Sequence, residues 1–244
     1  MKSVIKAVVA VCILCLGLRV AAFAGDDETK RLTEAGQVLK EILDMPDKGI
    51  PGGLLKGSEC VIVMPSVKKA AFIVGGEYGR GVMSCRTGAN YDGPWSAPIM
   101  MASGGGSFGL QIGGSATDFV ILVMNDKGLR SMLGGSKIKL GADASVAAGP
   151  VGRTTEAATN ARMSAQMLSW SRAQGVFGGV SLTGATLRVD NDADKNLYGK
   201  SVTAKEIMAG QVTPPPAGNE FLTLLNEKAG KTRTPPEQGK PGAN

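Results

Sequence analysis

Three aspartates at alternate positions, Asp190, Asp192 and Asp194, are the most regular group of potential metal ligands in the chain. Their spacing matches the first three ligands of a calcium-binding EF-hand loop. However, Lys195 stands where that loop needs glycine, and Ser201 stands where a glutamate would complete the shell. We therefore expect a solvated acidic turn here, and a looser calcium site is the weaker alternative.

Catalytic residues are sparse in this sequence. The chain contains no histidine, which removes the commonest general base and metal ligand. Ser171, Asp118, Lys139 and Glu77 carry reactive groups, but no spacing links a nucleophile to a base. The glycines of 104–114 precede a predicted strand instead of a helix, so they do not fit a dinucleotide-binding loop, and the complete P-loop pattern is absent. We predict a protein that is not an enzyme and has no cofactor.

Basic residues close to glycine-rich turns are the remaining candidates for a functional site. If several of them lie on one face, each would attract anionic lipid headgroups with about 1 kcal/mol. Scattered solubilising charge is the alternative, and the sequence leaves it open. The predicted lipid-binding residues are Lys68, Lys69, Arg80, Arg86, Arg153 and Arg172.

The first 24 residues have the pattern of a signal peptide. Lys2 and Lys6 precede an apolar run over 7–18, and Ala22, Phe23 and Ala24 form a small-x-small cleavage site. Cleavage removes three of the 27 basic residues and none of the 21 acidic ones, so the formal charge falls from +6 to +3. This low charge argues against nucleic acid as a partner. We expect an exported protein, periplasmic or secreted after cleavage near Ala24, and an uncleaved N-terminal anchor is the alternative.

Two of the four cysteines, Cys12 and Cys15, belong to the predicted signal peptide. The other two, Cys60 and Cys85, both occur in strand-like sequence. An even pair in an oxidising compartment favours a disulfide between them. Two reduced, buried cysteines are the alternative.

The pattern of apolar residues predicts helices at both ends of the mature chain and short strands between them. Helices are expected over 26–45, 129–133, 203–208 and 219–228, and the first should pack on a sheet in preference to lying on a membrane surface. Strands are expected over 59–64, 70–75, 81–86, 107–115, 119–124, 138–148 and within 176–189. Lys68 and Lys69 should lie in a turn, and 191–195 in a loop.

Glycine is frequent in the predicted strands, and it allows backbones to approach closely. We expect 107–115 and 119–124 to be inner strands. The order of elements predicts an α+β fold with a curved, partly closed antiparallel sheet of glycine-rich strands and flanking N- and C-terminal helices. The expected organisation is a signal peptide over 1–24, a single domain over 25–229 and a disordered tail over 230–244.

Several short motifs, in a fixed order over about residues 32–226, carry a resemblance to a known family. They are Ile50-Pro51, Leu54-Leu55, Gly75-Gly76, Gly79-Arg80-Gly81-Val82, Cys85-Arg86, Trp95-Ser96-Ala97-Pro98, Gly109-Leu110-Gln111-Ile112-Gly113, Thr117-Asp118, Ala148-Gly149-Pro150-Val151-Gly152-Arg153, the run 169–184 and Tyr198-Gly199. Together they resemble the SYLF domain family of bacterial exported proteins and eukaryotic endocytic proteins. Trp170 stands where the family usually has tyrosine, and Ala173-Gln174 where it has Ser-Lys.

The resemblance implies phospholipid binding through a basic surface, often together with an N-terminal amphipathic segment. For an exported protein we expect anionic phospholipid or an anionic membrane surface as the partner, and any protein partner is unknown. The alternative is a structural or protein-interaction module of the cell envelope.

Overall fold

The computed structural model describes residues 25–45, 49–72, 74–88, 90–108, 113–134, 137–151, 165–173 and 176–230. The predicted signal peptide and residues 231–244 of the predicted tail lie outside these ranges. Within the ranges, no helix has both the length and the apolar character needed to cross a membrane.

The described residues form six α-helices, nine strands and one 3-10 turn. The helices are α1 (Asp26–Asp44), α2 (Gly52–Gly57), α3 (Asp126–Leu133), α4 (Asn191–Tyr198), α5 (Ala204–Met208) and α6 (Asn219–Ala229), with the 3-10 turn at Pro216–Gly218. The strands are β1 (Cys60–Phe72), β2 (Val74–Cys85), β3 (Ile99–Phe108), β4 (Gly113–Val123), β5 (Ile138–Lys139), β6 (Val146–Ala148), β7 (Met167–Ala173), β8 (Val176–Gly179) and β9 (Thr186–Val189).

All the described strands belong to one curled sheet. Its order is β5-β9-β3-β2-β1-β4-β7-β6, and β8 pairs with β7. The neighbours are antiparallel except β6 and β7, which run parallel, so the sheet is mixed. The predicted α+β fold with a curved, partly closed sheet and flanking helices is confirmed.

Two apolar layers cover the two sides of the sheet. On the side that we call the α1 face, α1, α2 and α6 bury Leu39, Leu54 and Phe221 against the strands. On the opposite side, the α3 face, α3 and α5 contribute Leu129, Met132 and Ile207. β4 supplies both layers, since Val120 and Leu122 lie in the first and Ile121 and Val123 in the second. Residues 120–123 of the apolar run are therefore buried on both sides of the sheet, as predicted, and Phe119 and Met124 at its ends are half-buried.

The helices at both ends agree with the apolar pattern. The buried side of α1 includes Leu32, Leu39 and Ile42, so α1 packs on the sheet as expected. Thr203 caps α5 and accepts the backbone N–H of Glu206, whose side chain in turn accepts from Thr203. This reciprocal capping explains why α5 starts one residue after the predicted position.

β1 and β2 form one long hairpin where three shorter strands were predicted. Cys60 lies opposite Cys85 in the register, and the two are joined by the predicted disulfide. A bulge at Pro65 and Ser66 shifts the register between Val63 and Lys68, and Ser66 has a φ of 48°. The predicted turn at Lys68 and Lys69 is wrong, because the bulge accommodates the proline and β1 continues beyond it.

The glycines of β2 differ in what their backbones approach. A Cβ added at Gly81 would lie 2.2 Å from the carbonyl oxygen of Val63, so only glycine fits beside the bulge. A Cβ at Gly76 would meet nothing within 4 Å. The expected close approach of backbones therefore holds at Gly81 and not along the whole glycine-rich run.

Two other strand predictions need correction. The segment 138–148 contains two short strands, β5 and β6, joined by a turn at Gly141, whose φ is 86°. The segment 107–115 covers the end of β3 and the start of β4, and the centre of the sheet is the β1–β2 pair. β3 and β4 flank that pair, so both are inner strands but not the innermost.

Candidate functional site

A cleft of about 410 Å³ opens on the α1 face, between the first turns of α1 and the β1–β2 hairpin. Four basic and two acidic residues contribute to its walls. We call it the basic cleft, and it is lined by Asp27, Lys30, Arg31, Glu34, Pro65, Ser66, Lys68, Tyr78, Gly79 and Arg80. Two of the predicted lipid-binding residues, Lys68 and Arg80, therefore lie together.

The bulge in β1 determines which side chains reach the basic cleft. The backbone N–H of Ser66 donates to Asp118 Oδ1 at 2.8 Å, which holds the bulge against β4. Beyond it, Lys68 lies opposite Tyr78, so both side chains project to the α1 face. Arg80 follows Tyr78 by two residues and points to the same side.

Arg31 forms the deepest basic wall of the cleft. It is only 7% exposed, and its Nη1 has no hydrogen-bond partner among the described residues. Burial and then the neighbouring Arg80 charge lower the pKa of Arg31, while Glu28 and Asp190 act in the opposite direction. An unpartnered buried donor costs about 1–3 kcal/mol, and more when it is charged. The site is therefore one where an acceptor oxygen would be stabilising.

Glu28 lies behind Arg31 and is itself 3% exposed. Its Oε1 accepts from the side chain of Asn196 at 3.5 Å, a contact that ties α1 to α4. Its Oε2 has no partner among the described residues. The Glu28 carboxylate raises the pKa of Arg31 through its charge. The two side chains do not form an ion pair within 4.0 Å among the described residues.

Arg80 stands at the mouth of the basic cleft. Its Nε donates to the hydroxyl of Tyr78, its guanidinium lies 5.8 Å from the centre of that ring, and the carboxylate of Asp190 is 4.0 Å away. The hydrogen bond to Tyr78 raises the pKa of Arg80. Tyr78 is 52% exposed, so the mouth combines a fixed cation with an exposed aromatic ring.

A family profile described as "Ysc84: Las17-binding protein actin regulator" matches residues 104–228, about half of the chain. The chain belongs to the SYLF (Ysc84) family. The resemblance drawn from the short motifs is confirmed, and the profile's description names a binding protein.

Relatives of this SYLF protein come from yeasts and animals. The SH3 domain-containing protein PJ696.02 of Schizosaccharomyces pombe is 36% identical over 202 residues, which cover 80% of this chain and 46% of that protein. Protein YSC84 of Saccharomyces cerevisiae is 35% identical over 185 residues, covering 75% of this chain and 39% of that protein. The SH3 domain-containing YSC84-like protein 1 of Mus musculus is 30% identical over 206 residues, which cover 82% of this chain and 59% of that protein. The aligned part is thus less than two thirds of each relative's length.

The remaining predicted lipid-binding residues of the SYLF domain do not join the basic cleft. Lys69 follows Lys68 on β1 and therefore projects to the α3 face, where its Nζ lies 3.3 Å from a carboxylate oxygen of Glu77. A depression of about 190 Å³ beside Gly105 includes this pair. Arg153 lies outside the described residues.

Arg86 is an interior residue, 1% exposed. It donates to the backbone carbonyls of Lys56, Ser58 and Ala229, and its guanidinium stacks 4.4 Å from the ring centre of Trp95. Burial lowers the pKa of Arg86. Its donors join α2, β2 and the end of α6, which is a structural arrangement with no access for a lipid headgroup.

Arg172 on β7 is also engaged within the protein. Its Nε donates to Asp118 Oδ2 at 2.6 Å, a second nitrogen lies 2.5 Å from the same oxygen, and Glu41 of α1 pairs with it as well. Since Asp118 also holds the Ser66 bulge, Arg172 supports the basic cleft from behind. It acts on the cleft through the position of the bulge and not by contact.

The three alternating aspartates do not form a loop. The predicted loop over 191–195 is wrong, because these residues lie in α4. Asp190 caps α4 by accepting the N–H of Ala193, Asp192 is exposed, and Asp194 is buried. Among the described residues no group of three or more aspartate, glutamate or cysteine side chains is arranged to hold a metal ion. Asp190 and Asp194 are one helical turn apart on the same side of α4, whereas Asp192 lies on another side, so the alternating spacing does not gather all three carboxylates.

Asp194 is a fully buried carboxyl group between α4 and β3. Its Oδ1 accepts the backbone N–H of Met100 at 2.8 Å, and its Oδ2 has no described partner. Burial raises the pKa of Asp194 to about 7, the Met100 hydrogen bond opposes that shift, and the nearby Asp190 adds to it. The pKa of Tyr198 is also raised, by burial and then by the Asp194 charge.

The sequence reasoning missed Arg31, Lys30 and Tyr78 as cleft residues. A signal for Arg31 was present, since it precedes Ala35 and Leu39 by one and two helical turns on the buried side of α1. A basic residue in line with buried positions indicates a charge held inside the fold. Tyr78 gave no comparable signal, because the bulge that sets its surroundings depends on Asp118.

Proposed function

We propose that this SYLF domain is a non-catalytic module that binds the headgroups of anionic phospholipids at the basic cleft, and that it does so as an exported protein, periplasmic or secreted. The proposal rests on Nη1 of Arg31, which has no hydrogen-bond partner among the described residues. The Arg31 side chain is more than nine-tenths buried in the wall of a cleft that Lys68 and Arg80 also line. A phosphate group is an acceptor suited to a guanidinium, because it is anionic and two of its oxygens can accept two parallel N–H bonds.

The charges around the cleft support an anionic ligand of limited size. Within the described part of the chain, Lys68 has no carboxylate within 4.0 Å, while Lys30 pairs loosely with Glu34 at 3.8 Å. Arg80 lies 4.0 Å from a carboxylate oxygen of Asp190 and also lines the cleft. The exposed ring of Tyr78 suits the boundary between headgroups and acyl chains, where aromatic side chains with a polar tip are favoured.

A second candidate function is binding of a protein partner. It is favoured by the Las17-binding family whose profile matches the chain and by the SH3 domain-containing relatives. In an exported protein this would be an interaction module of the cell envelope. Recovery of one partner in stoichiometric amount, with no retention on vesicles of any composition, would support this second function over the first.

Sedimentation with vesicles tests the lipid proposal. We expect the protein to pellet with phosphatidylglycerol vesicles at low salt and to remain in solution with phosphatidylcholine vesicles. The double variant K68Q/R80Q should bind roughly 30-fold more weakly, since each of the two cations contributes about 1 kcal/mol near an anionic surface. Lys69→Gln is the matched control, because Lys69 is the next residue on the same strand and faces the other side of the sheet.

Two results would contradict the proposal. One is equal recovery from both kinds of vesicle, and the other is a loss with Lys69→Gln as large as the loss with K68Q/R80Q. The export part of the proposal is tested separately by mass spectrometry of the protein from cell fractions. A mature chain that begins at Gly25 in the periplasm or medium is expected, and an intact N terminus in the cytoplasm would contradict export.

A further inference from the structure

A second cleft lies on the α3 face, on the side of the sheet opposite to the basic cleft. Its volume is about 370 Å³, and α3, β9 and α5 form its walls. We call it the α3 cleft. Apolar side chains of α3 and β9 and the first residue of α5 line it, namely Met132, Leu133, Val189 and Ala204. Met132 and Ala204 are buried at 2% and 8% exposure, so the apolar lining continues into the core.

The charged residues of the α3 cleft are all basic. They are Lys137, Arg188 and Lys205, and the two remaining lining residues, Asn191 and Thr203, are uncharged. This differs from the basic cleft, where Asp27 and Glu34 stand among the cations.

None of the three cations is neutralised within the described residues. No carboxylate lies within 4.0 Å of Lys137, Arg188 or Lys205, and Arg188 donates only to the carbonyl of the adjacent Val189, at 3.3 Å. Glu206, next to Lys205, is engaged by the backbone and hydroxyl of Thr203 at 2.7 and 2.8 Å. Three like charges around one opening repel each other, and an anion placed between them relieves that repulsion.

We propose that the α3 cleft binds an amphiphile with one aliphatic chain and an anionic head. The carboxylate or phosphate head lies among Lys137, Arg188 and Lys205, and the chain lies along Met132, Leu133 and Val189. A free fatty acid and a lysophospholipid share this chemistry. The site is separate from the phospholipid site proposed above, because the whole sheet lies between the two clefts.

The size of the α3 cleft supports a single chain. Its volume of about 370 Å³ lies in the lower part of the 300–1,000 Å³ that is typical of small-molecule sites. Each methylene that is buried strengthens binding about fourfold, since its transfer from water is worth about 0.8 kcal/mol. Affinity should therefore rise from octanoate to laurate and level off once the chain extends beyond the apolar lining.

Calorimetric titration of the whole protein with four probes, each below its micelle concentration, tests the proposal. Laurate and a single-chain lysophosphatidate represent the two sources of the ligand, and at least one is expected to bind. Dodecyltrimethylammonium has the same chain with the opposite charge, and acetate has the charge without the chain. Both should bind at least roughly tenfold more weakly. Equal affinity for laurate and dodecyltrimethylammonium, or for laurate and acetate, would overturn the proposal, as would failure of both anionic probes to bind.

Variants separate the α3 cleft from the basic cleft. K137Q/R188Q/K205Q should weaken binding of the anionic probe roughly tenfold or more and leave recovery with phosphatidylglycerol vesicles unchanged. K68Q/R80Q should weaken recovery with phosphatidylglycerol vesicles and leave binding of the anionic probe unchanged, so that either proposal can fail while the other stands.

Lys139→Gln and Arg130→Gln are matched controls for exposed charges outside the cleft. Leu133→Gln provides a second variant that keeps all three cations and should weaken laurate more than acetate. Undiminished laurate binding by the triple variant would overturn the proposal.

Discussion

The two ends of the β1–β2 hairpin have the same strand pairing and opposite surroundings. At the disulfide end, Cys60 to Val63 pair with Val82 to Cys85, and every one of these residues is buried. Beyond the bulge, Lys68 pairs with Tyr78 and both are exposed. One pair of strands thus passes from the core of the domain to the wall of an open cleft.

The arginines of the two ends show the difference most clearly. Arg86, next to the disulfide, is surrounded by three backbone carbonyls and an indole ring, so its hydrogen-bonding groups are used to hold other elements. Arg31, across from the outer end, is nearly as buried, but its Nη1 has no partner in the part of the chain that the structure describes. Burial alone therefore does not distinguish a structural arginine from one that is available for binding. The hydrogen-bond partners of its N–H groups make that distinction.

The largest expected effect is at the disulfide end. Arg86→Ala should lower the free energy of unfolding by about 3–5 kcal/mol, because it removes the donor to the buried carbonyls of Ser58 and Ala229 and the packing against Trp95. Urea unfolding followed by circular dichroism measures this. Arg130→Ala is the control, since Arg130 is exposed and pairs only with Asp126 within α3, and its loss should cost less than about 0.5 kcal/mol. Similar effects at the two positions would show that Arg86 does not anchor this end.

A smaller effect, with a defined pH dependence, is expected at Asp194. Because burial raises its folded-state pKa to about 7, the folded protein binds more protons than the unfolded chain between about pH 4 and pH 7. Stability should therefore fall as the pH rises through this window and level off above it. Asp194→Asn keeps an acceptor for the Met100 N–H and removes the buried charge, so it should flatten this slope and raise stability at pH 8 by on the order of 2 kcal/mol.

Thermal or urea unfolding from pH 4.5 to pH 8 compares the two proteins. Asp192→Asn is the control, because Asp192 is exposed on the same helix and should leave the slope unchanged. If wild-type stability rose steadily with pH over this range, and Asp194→Asn did not alter the curve, the buried carboxyl would not be protonated at neutral pH. The structural link between α4 and β3 would then rest on an ionised group.

The two end helices, α1 and α6, and the most apolar strand were predictable because their information is local. The apolar periodicity of α1 and α6 and the continuous run in β4 each specify burial within about ten residues of sequence. The disulfide was predictable for a similar reason, since only Cys60 and Cys85 remain after the predicted cleavage.

The hairpin and the basic cleft were less predictable because their information is not local. Pro65 and the glycines of 75–81 are residue types that are typical of turns. In the structure the chain continues as strand, because the bulge at Ser66 is held by Asp118, which is 52 residues away in the sequence. Arg80 and Arg86 also look alike in sequence, since Arg80 lies between two glycines and Arg86 directly follows Cys85. Their neighbours distinguish them. Arg86 donates to the carbonyls of Ser58 and Ala229, whereas Arg80 lines an open cleft, and these surroundings come from distant segments of the chain.

The smallest expected effect concerns the glycines of the two ends and tests whether the outer end is free of close backbone contact. Gly76→Ala should change the free energy of unfolding by less than about 1 kcal/mol, and in the stabilising direction, because alanine loses less conformational freedom and its Cβ meets nothing within 4 Å. Gly81→Ala is the counterpart at the bulge, where the Cβ would lie 2.2 Å from the Val63 carbonyl oxygen and must displace backbone. Differential scanning calorimetry of both variants measures the contrast. If Gly76→Ala destabilised as strongly as Gly81→Ala, the outer half of the hairpin would be packed as closely as the inner half, and a cleft open to a ligand at that end would have no physical basis.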